Sequence, residues 1–125
     1  MNEWSIPAVL DIITDVAPER EMIIWCDTRR TYAEVQDRTR QLARYLRSHG
    51  LVVERERDEL EPWECGQPRV AILMSNGPEY LEAMIGSYRA RCVPYNVNHQ
   101  YNAHEVAALI GSIGASCALY WWLTL

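Results

Sequence analysis

Apolar residues recur with a helical period in the first half of the chain. The period runs from Ile6 to Val16, and Pro18 follows as a helix breaker. A second helix is predicted to begin at the capping box of Thr31 and Glu34 and to end at Gly50. Its expected apolar face comprises Val35, Leu42, Ala43 and Leu46.

Two further helices are predicted in the second half of the chain. Pro78 is well placed for the first turn of the third helix. Asn102 and Glu105 form another capping box for the fourth, which Gly114 ends. The expected stripe of the third helix is Tyr80, Leu81, Met84, Ile85 and Tyr88. The expected buried face of the fourth is Val106, Leu109, Ile110 and Ile113.

Short apolar runs between these helices predict strands at residues 22–26, 70–74, 92–97 and 117–123, with a turn at 27–30. The continuous run at 70–74 is typical of a strand covered on both faces. Pro94 favours an edge position for its strand. Because helices alternate with strands, we expect an α/β fold in which helices pack on a short, mostly parallel, incomplete sheet. The segment 53–68 is charged and holds prolines, which predicts a solvated loop insertion or a frayed helical turn.

Composition indicates one globular domain. The chain has 125 residues, of which 49% are hydrophobic and 23% charged. A formal net charge of −5 gives no help to nucleic-acid binding. The first residues lack the basic and apolar regions of a signal peptide, and no segment approaches the roughly 20 apolar residues of a membrane span. These features predict a cytoplasmic protein.

Several residues with reactive or charged side chains are candidate site residues. The cysteines are too unevenly spaced for a zinc site and are expected to be buried thiols: Cys26, Cys65, Cys92 and Cys117. The histidines lack partners at local spacing and are expected on the surface: His49, His99 and His104.

The remaining candidates each have two interpretations. An acidic group is either a metal site or, as we favour, a solvated loop: Asp58, Glu59, Glu61 and Glu64. A group of helical arginines either faces a phosphate or acidic partner or, as we favour, pairs with Glu and Asp: Arg38, Arg40, Arg44 and Arg47. Asn96 and Asn98 either line a substrate path or bond their own turn. We therefore predict no catalytic, cofactor-binding or metal-binding residue.

Four motifs then appear in order along the chain. They are RTYAEV at residues 30–35, RVAIL at 69–73, NGPEYLEA at 76–83 and VPYNVN at 93–98. Together they resemble the N-terminal region of the AMP-forming acyl-CoA synthetases, in the adenylate-forming ligase superfamily. The NVN-x-x-Y turn at 96–101 is similar to that of bacterial fatty-acyl and steroid-side-chain CoA ligases.

The resemblance implies what the chain has and what it lacks. Residues 1–125 would be the N-terminal part of an AMP-binding domain, truncated. In the full-length family, ATP, Mg²⁺ and CoA serve acyl adenylation followed by thioester formation. The family's phosphate loop, of the type SGTTGxPKG, and its catalytic lysine have no counterpart here. We therefore expect no cofactor for this chain and no ligase activity by itself.

Two other functions stay open from the sequence. The chain could be one half of a split enzyme whose sheet a second polypeptide completes. It could also be a non-catalytic interaction module that associates with a partner or with itself through Trp121 and Trp122.

Overall fold

Four α-helices and five β-strands form the fold of residues 4–121, which are the residues that the computed structural model describes. This confirms the predicted α/β class. A single 3₁₀ turn lies at Arg57–Glu59. In chain order the elements are α1 (Ile6–Val16), β1 (Glu21–Trp25), β2 (Thr28–Thr31), α2 (Tyr32–Ser48), β3 (Arg69–Met74), α3 (Pro78–Arg89), β4 (Val93–Asn96), α4 (Ala103–Ile113) and β5 (Cys117–Trp121).

The predicted helix caps are present. The Glu34 amide donates to Thr31 Oγ1 at 3.3 Å, and the Thr31 amide donates to the Glu34 carboxylate at 2.7 Å. Asn102 and Glu105 make the same reciprocal pair at the start of α4, at 3.0 and 2.9 Å. Gly114 ends α4 with φ of 60°, in the left-handed region that glycine adopts without a Cβ clash. Local sequence therefore fixes the ends of α2 and α4.

The predicted turn at 27–30 is wrong. Residues Thr28–Thr31 form β2, which pairs antiparallel with β1, and the turn shrinks to Cys26 and Asp27. The Arg29 guanidinium also reaches the Glu21 carboxylate at 2.9 Å across the hairpin. The apolar pattern did not predict β2, because this strand is short, its residues are polar and one of its sides is exposed.

A parallel sheet of three strands has the order β4-β3-β5. The central strand contributes Val70, Ala71 and Ile72, all buried, which confirms a strand covered on both faces. Pro94 lies in β4, at one edge of the sheet as predicted, where a missing N–H costs no ladder bond.

Helices α2 and α3 pack closely against each other over this sheet. Gly86 makes the approach possible, because a Cβ there would lie 2.6 Å from Leu42 Cδ2. The main core joins side chains of α2, β3, α3 and the segments after them: Ala43, Leu46, Leu51, Val70, Ile72, Ala83, Ala90 and Cys92. A smaller cluster of Ile23, Val35 and Ile85 joins the hairpin to α2 and α3.

The structure corrects the expected apolar faces of α3 and α4. In α3, Leu81 is 39% exposed, whereas the charged Glu82 and Arg89 are buried, because their charges are paired across the helix interface. The expected face of α4 is only half-buried, and no residue of α4 is buried. In α1, Pro7 and Thr14 are buried, and Leu10 packs against the smaller cluster. The Thr14 hydroxyl donates to the Leu10 carbonyl at 2.7 Å.

The segment 53–68 is irregular and mostly exposed around its 3₁₀ turn, which agrees with the predicted solvated loop. Its ends meet where the Glu54 amide donates to the Gly66 carbonyl at 2.9 Å. Within residues 4–121, no helix combines the length and apolar composition that crossing a bilayer requires.

Candidate functional site

A cleft of about 490 Å³ lies between α2 and α3, next to the carboxyl ends of β3 and β5. Ligands of open α/β sheets bind at that end of the strands. Apolar side chains and a charged rim line it together: Arg38, Gln41, Leu42, Tyr45, Met74, Glu79, Glu82, Ala83 and Leu119.

Glu82 is the buried centre of the charged rim. Its carboxylate accepts hydrogen bonds from Arg30 Nη1 at 2.6 Å, Arg38 Nε at 2.8 Å and Arg38 Nη2 at 2.9 Å. Arg30 also donates from Nη2 to Glu79 at 3.0 Å. The hydrogen bond to Glu82 raises the pKa of Arg38 above its ordinary value. One carboxylate of α3 is thus tied to both β2 and α2.

This pairing decides what the cleft can do chemically. Three N–H donors of two guanidinium groups already occupy the oxygens of Glu82, so it is not free to act as a general base. The predicted pairing of helical arginines with acids is confirmed for Arg38, which is held against Glu82, and for Arg40, which lies 3.5 Å from Asp11. Within residues 4–121 it is wrong for Arg44 and Arg47, which form no ion pair. The rim therefore holds α2, α3 and β2 together through charged hydrogen bonds.

A second charged cluster connects α1 to α2 and α3. The Asp11 carboxylate accepts from Arg89 at 2.6 and 3.1 Å and from Gln36 at 2.8 Å, and it lies 3.5 Å from Arg40. Arg89 also donates from Nε to Thr39 Oγ1 at 3.0 Å. Burial raises the pKa of Asp11, but the hydrogen bonds from Arg89 and Gln36 and the nearby positive charges outweigh it, and the net pKa is lowered.

The turn between β3 and α3 connects a strand to a helix, as a phosphate-binding loop does. A cavity of about 300 Å³ lies beside it. However, Pro78 at the start of α3 has no N–H to donate, and Glu79 places a negative charge in the first helical turn. Helix N-termini bind phosphate through free amides and positive potential. These residues therefore do not fit the phosphates of ATP.

The other candidate residues lie apart from the cleft. All three histidines are exposed, as predicted: His49, His99 and His104. The His49 ring lies 4.2 Å from the Tyr45 ring and is close to the Tyr45 carbonyl, at 2.9 Å. In the described part of the chain, no group of His, Cys, Asp and Glu has metal-site geometry, and the acidic loop is exposed.

The cysteine and asparagine predictions hold in part. Cys92 is buried, but Cys26 and Cys65 are exposed, because one lies in the hairpin turn and the other in the charged loop. Asn98 Oδ1 accepts from the Gln100 amide at 3.0 Å, which confirms a side chain bonding its own turn. Asn96 instead accepts from the Tyr80 hydroxyl. Sequence reasoning missed Glu82 and Arg89, because their burial depends on charged partners that are far away in the sequence.

The sequence profile of the family described as "AMP-binding enzyme" matches residues 13–122. The chain belongs to this family. The resemblance drawn from the four motifs is therefore confirmed.

Curated relatives are acyl-CoA ligases. This chain is 38% identical over 117 residues to the medium-chain acyl-CoA ligase Mig of Mycobacterium avium, across 94% of this chain and 21% of the relative. It is 30% identical over 102 residues to 3-oxocholest-4-en-26-oate–CoA ligase of Rhodococcus rhodochrous, across 82% of this chain and 16% of the relative. The chain thus spans about a fifth or less of the length of these relatives.

Solved structures share the fold. The inhibitor-bound N-terminal domain of FACL13 from Mycobacterium tuberculosis superposes with a TM-score of 0.75 at 23% identity, over 92% of this chain and 26% of that one. The N-terminal subdomain of NpsA from Klebsiella oxytoca gives 0.76 at 21% identity, over 93% and 27%. At these identities the likeness concerns the fold, that of the N-terminal subdomain of adenylation enzymes.

Proposed function

We propose that the chain forms the first part of the scaffold of an acyl-CoA ligase and has no ligase activity by itself. The observation that carries this proposal is the 38% identity with the Mycobacterium avium medium-chain ligase over 94% of the chain. The reaction would be attack of a carboxylate on ATP to give an acyl-adenylate and pyrophosphate, followed by displacement of AMP by the CoA thiol. The names of the relatives suggest medium-chain or steroid side-chain acids as substrates.

The basic residues support a scaffold role without the chemistry. All 12 basic residues of the sequence are arginines, so it holds no lysine for a phosphate loop or for adenylation. The buried carboxylate of Glu82 is engaged with Arg30 and Arg38 and serves to fix α2, α3 and the hairpin. The lysines of the phosphate loop and of adenylation would then come from other parts of a ligase.

A second polypeptide or segment would have to complete the enzyme. Within residues 4–121, β5 pairs with β3 on one side and has no strand on the other. Tyr120 in β5 is 73% exposed. An unpaired strand edge can accept a further strand through backbone hydrogen bonds. We therefore propose this edge as the place where the rest of an AMP-binding domain joins; Trp122, named from the sequence as a contact, lies outside the described residues.

Reconstitution tests the proposal. The 125-residue chain is mixed with a fragment of the Mycobacterium avium ligase that lacks the aligned region, and octanoate-dependent ATP–pyrophosphate exchange is measured. We expect exchange from the mixture and none from either part. Ile72→Asp in the buried central strand should abolish exchange, whereas Ile24→Asp at an exposed position should not. A stable complex without exchange would contradict the proposal.

A non-catalytic interaction module is the second candidate. The apolar outer side of α1 favours it, because Ile12 and Val16 are 58% and 82% exposed and Trp4 is 80% exposed. Light scattering coupled to size exclusion separates the two candidates. Concentration-dependent dimers that Ile12→Asp disrupts would support the module, and a monomer at all concentrations would count against self-association.

A further inference from the structure

A small cavity lined by arginines lies between α1, α2 and α3, away from the cleft and the β3–α3 turn. Its volume is about 240 Å³. Three consecutive turns of α2 contribute guanidinium groups, and α3 contributes one more. The lining residues are Pro7, Arg40, Ala43, Arg44, Arg47 and Arg89.

The four arginines differ in whether an acidic side chain already balances their positive charge. Arg89 is buried and bound by Asp11 and Thr39. Arg40 is half-exposed and lies 3.5 Å from Asp11. Among residues 4–121, Arg47 donates to the Arg89 carbonyl but forms no ion pair, and Arg44 forms neither a side-chain hydrogen bond nor an ion pair. Several positive charges thus share one carboxylate.

The spacing on α2 makes this arrangement unfavourable without an anion. Residues 40, 44 and 47 lie on one helical face, and like charges three or four residues apart destabilise a helix. Asp11 offsets this only in part, since it is already hydrogen-bonded to Arg89 and does not line the cavity. An anion within the cavity would offset the remaining repulsion.

We propose that this cavity binds a phosphate group. Arginine presents paired N–H donors that match phosphate oxygens, and phosphate brings up to two negative charges near neutral pH. Drug-sized ligands occupy pockets of about 300–1,000 Å³, so a cavity of about 240 Å³ suits one small phosphate ligand or the phosphate end of a larger one. This site needs no part of the proposed ligase function.

Calorimetric titration of the 125-residue chain tests the proposal. Inorganic phosphate and pyrophosphate are titrated at low ionic strength, where screening is weak. We expect saturable binding at one site per chain and at least tenfold weaker binding for Arg44→Gln. Arg20→Gln is the matched control, because Arg20 is equally an exposed arginine but does not line the cavity. Circular dichroism verifies that both variants keep the fold.

Vesicles identify the source of the phosphate group. Binding to phosphatidic acid vesicles but not to phosphatidylcholine vesicles, lost in Arg44→Gln, would support the site with a lipid headgroup as its ligand. Binding of free phosphate without vesicle binding would support it with a soluble ligand. The proposal is overturned if neither binds, if Arg44→Gln and Arg20→Gln bind equally, or if polyglutamate binds and phosphate does not.

Discussion

Replacing Glu82 by glutamine tests whether the charged rim stabilises the helix interface. The substitution keeps the shape of the side chain but removes its charge and one acceptor oxygen. Three hydrogen bonds from Arg30 and Arg38 depend on that carboxylate, at 2.6, 2.8 and 2.9 Å. The Glu82 side chain is only 8% exposed, so water cannot replace the lost partner there.

The expected loss in the free energy of unfolding follows from the burial of each charged partner. A hydrogen bond to a charged group contributes about 1.5–3 kcal/mol, and breaking a buried ion pair costs about 3–5 kcal/mol. Arg38 is 48% exposed and can regain water, while Arg30 keeps Glu79 as a partner. We therefore expect a loss of about 2–3 kcal/mol in the free energy of unfolding, below the full cost of a buried pair.

Urea unfolding followed by circular dichroism measures the loss as a shift in midpoint at constant slope. Glu21→Gln is the matched control, because its pair with Arg29 is 43% and 58% exposed and should contribute less than about 1 kcal/mol. A double-mutant cycle with Arg38→Gln isolates the coupling energy. Equal losses for Glu82→Gln and Glu21→Gln would refute the reasoning.

Three further predictions concern packing, pH and thiol chemistry. Gly86→Ala should destabilise the chain by about 1–3 kcal/mol in urea unfolding, because a Cβ there would lie 2.6 Å from a leucine methyl group of α2. Gly111→Ala is the control and should be neutral or stabilising, because a Cβ at that position has nothing within 4 Å. The pKa of Asp11 is lowered in the folded chain, so the unfolded chain takes up this proton at a higher pH. The stabilisation from ionised Asp11 is therefore present above about pH 4 and is lost as the pH falls through the folded-state pKa. Urea unfolding across that range should show a shallower loss of stability in Asp11→Asn. Burial raises the pKa of the Cys92 thiol, so it should react with a disulfide reagent more slowly than exposed Cys26, and equal rates of absorbance change would contradict this.

The sequence predicted the elements whose signals are local. Helix starts at Thr31 and Asn102 are fixed by residues three positions apart, and Gly114 ends its helix through its own backbone freedom. The central strand was predictable because its apolar run reflects burial on both sides. In each case a few residues that are close in sequence are enough to determine the element.

The charged interfaces were not predictable because their causes are distant in sequence. Glu82 is buried only because Arg30 and Arg38, 52 and 44 residues away, neutralise it. Leu81 was expected inside by hydrophobicity, yet close packing at Gly86 turns a different side of α3 toward α2. The arginines of α2 were visible as a series, but only the fold gathers three of them with Arg89 around one cavity.

The most direct test of the scaffold proposal is acyl-adenylate formation by the isolated 125-residue chain. The chain is incubated with ATP, Mg²⁺ and octanoate, and octanoyl-AMP is sought by mass spectrometry. The Mycobacterium avium ligase serves as the positive control. We predict no octanoyl-AMP above the protein-free background; turnover of octanoate to its adenylate by the purified chain would contradict the proposal.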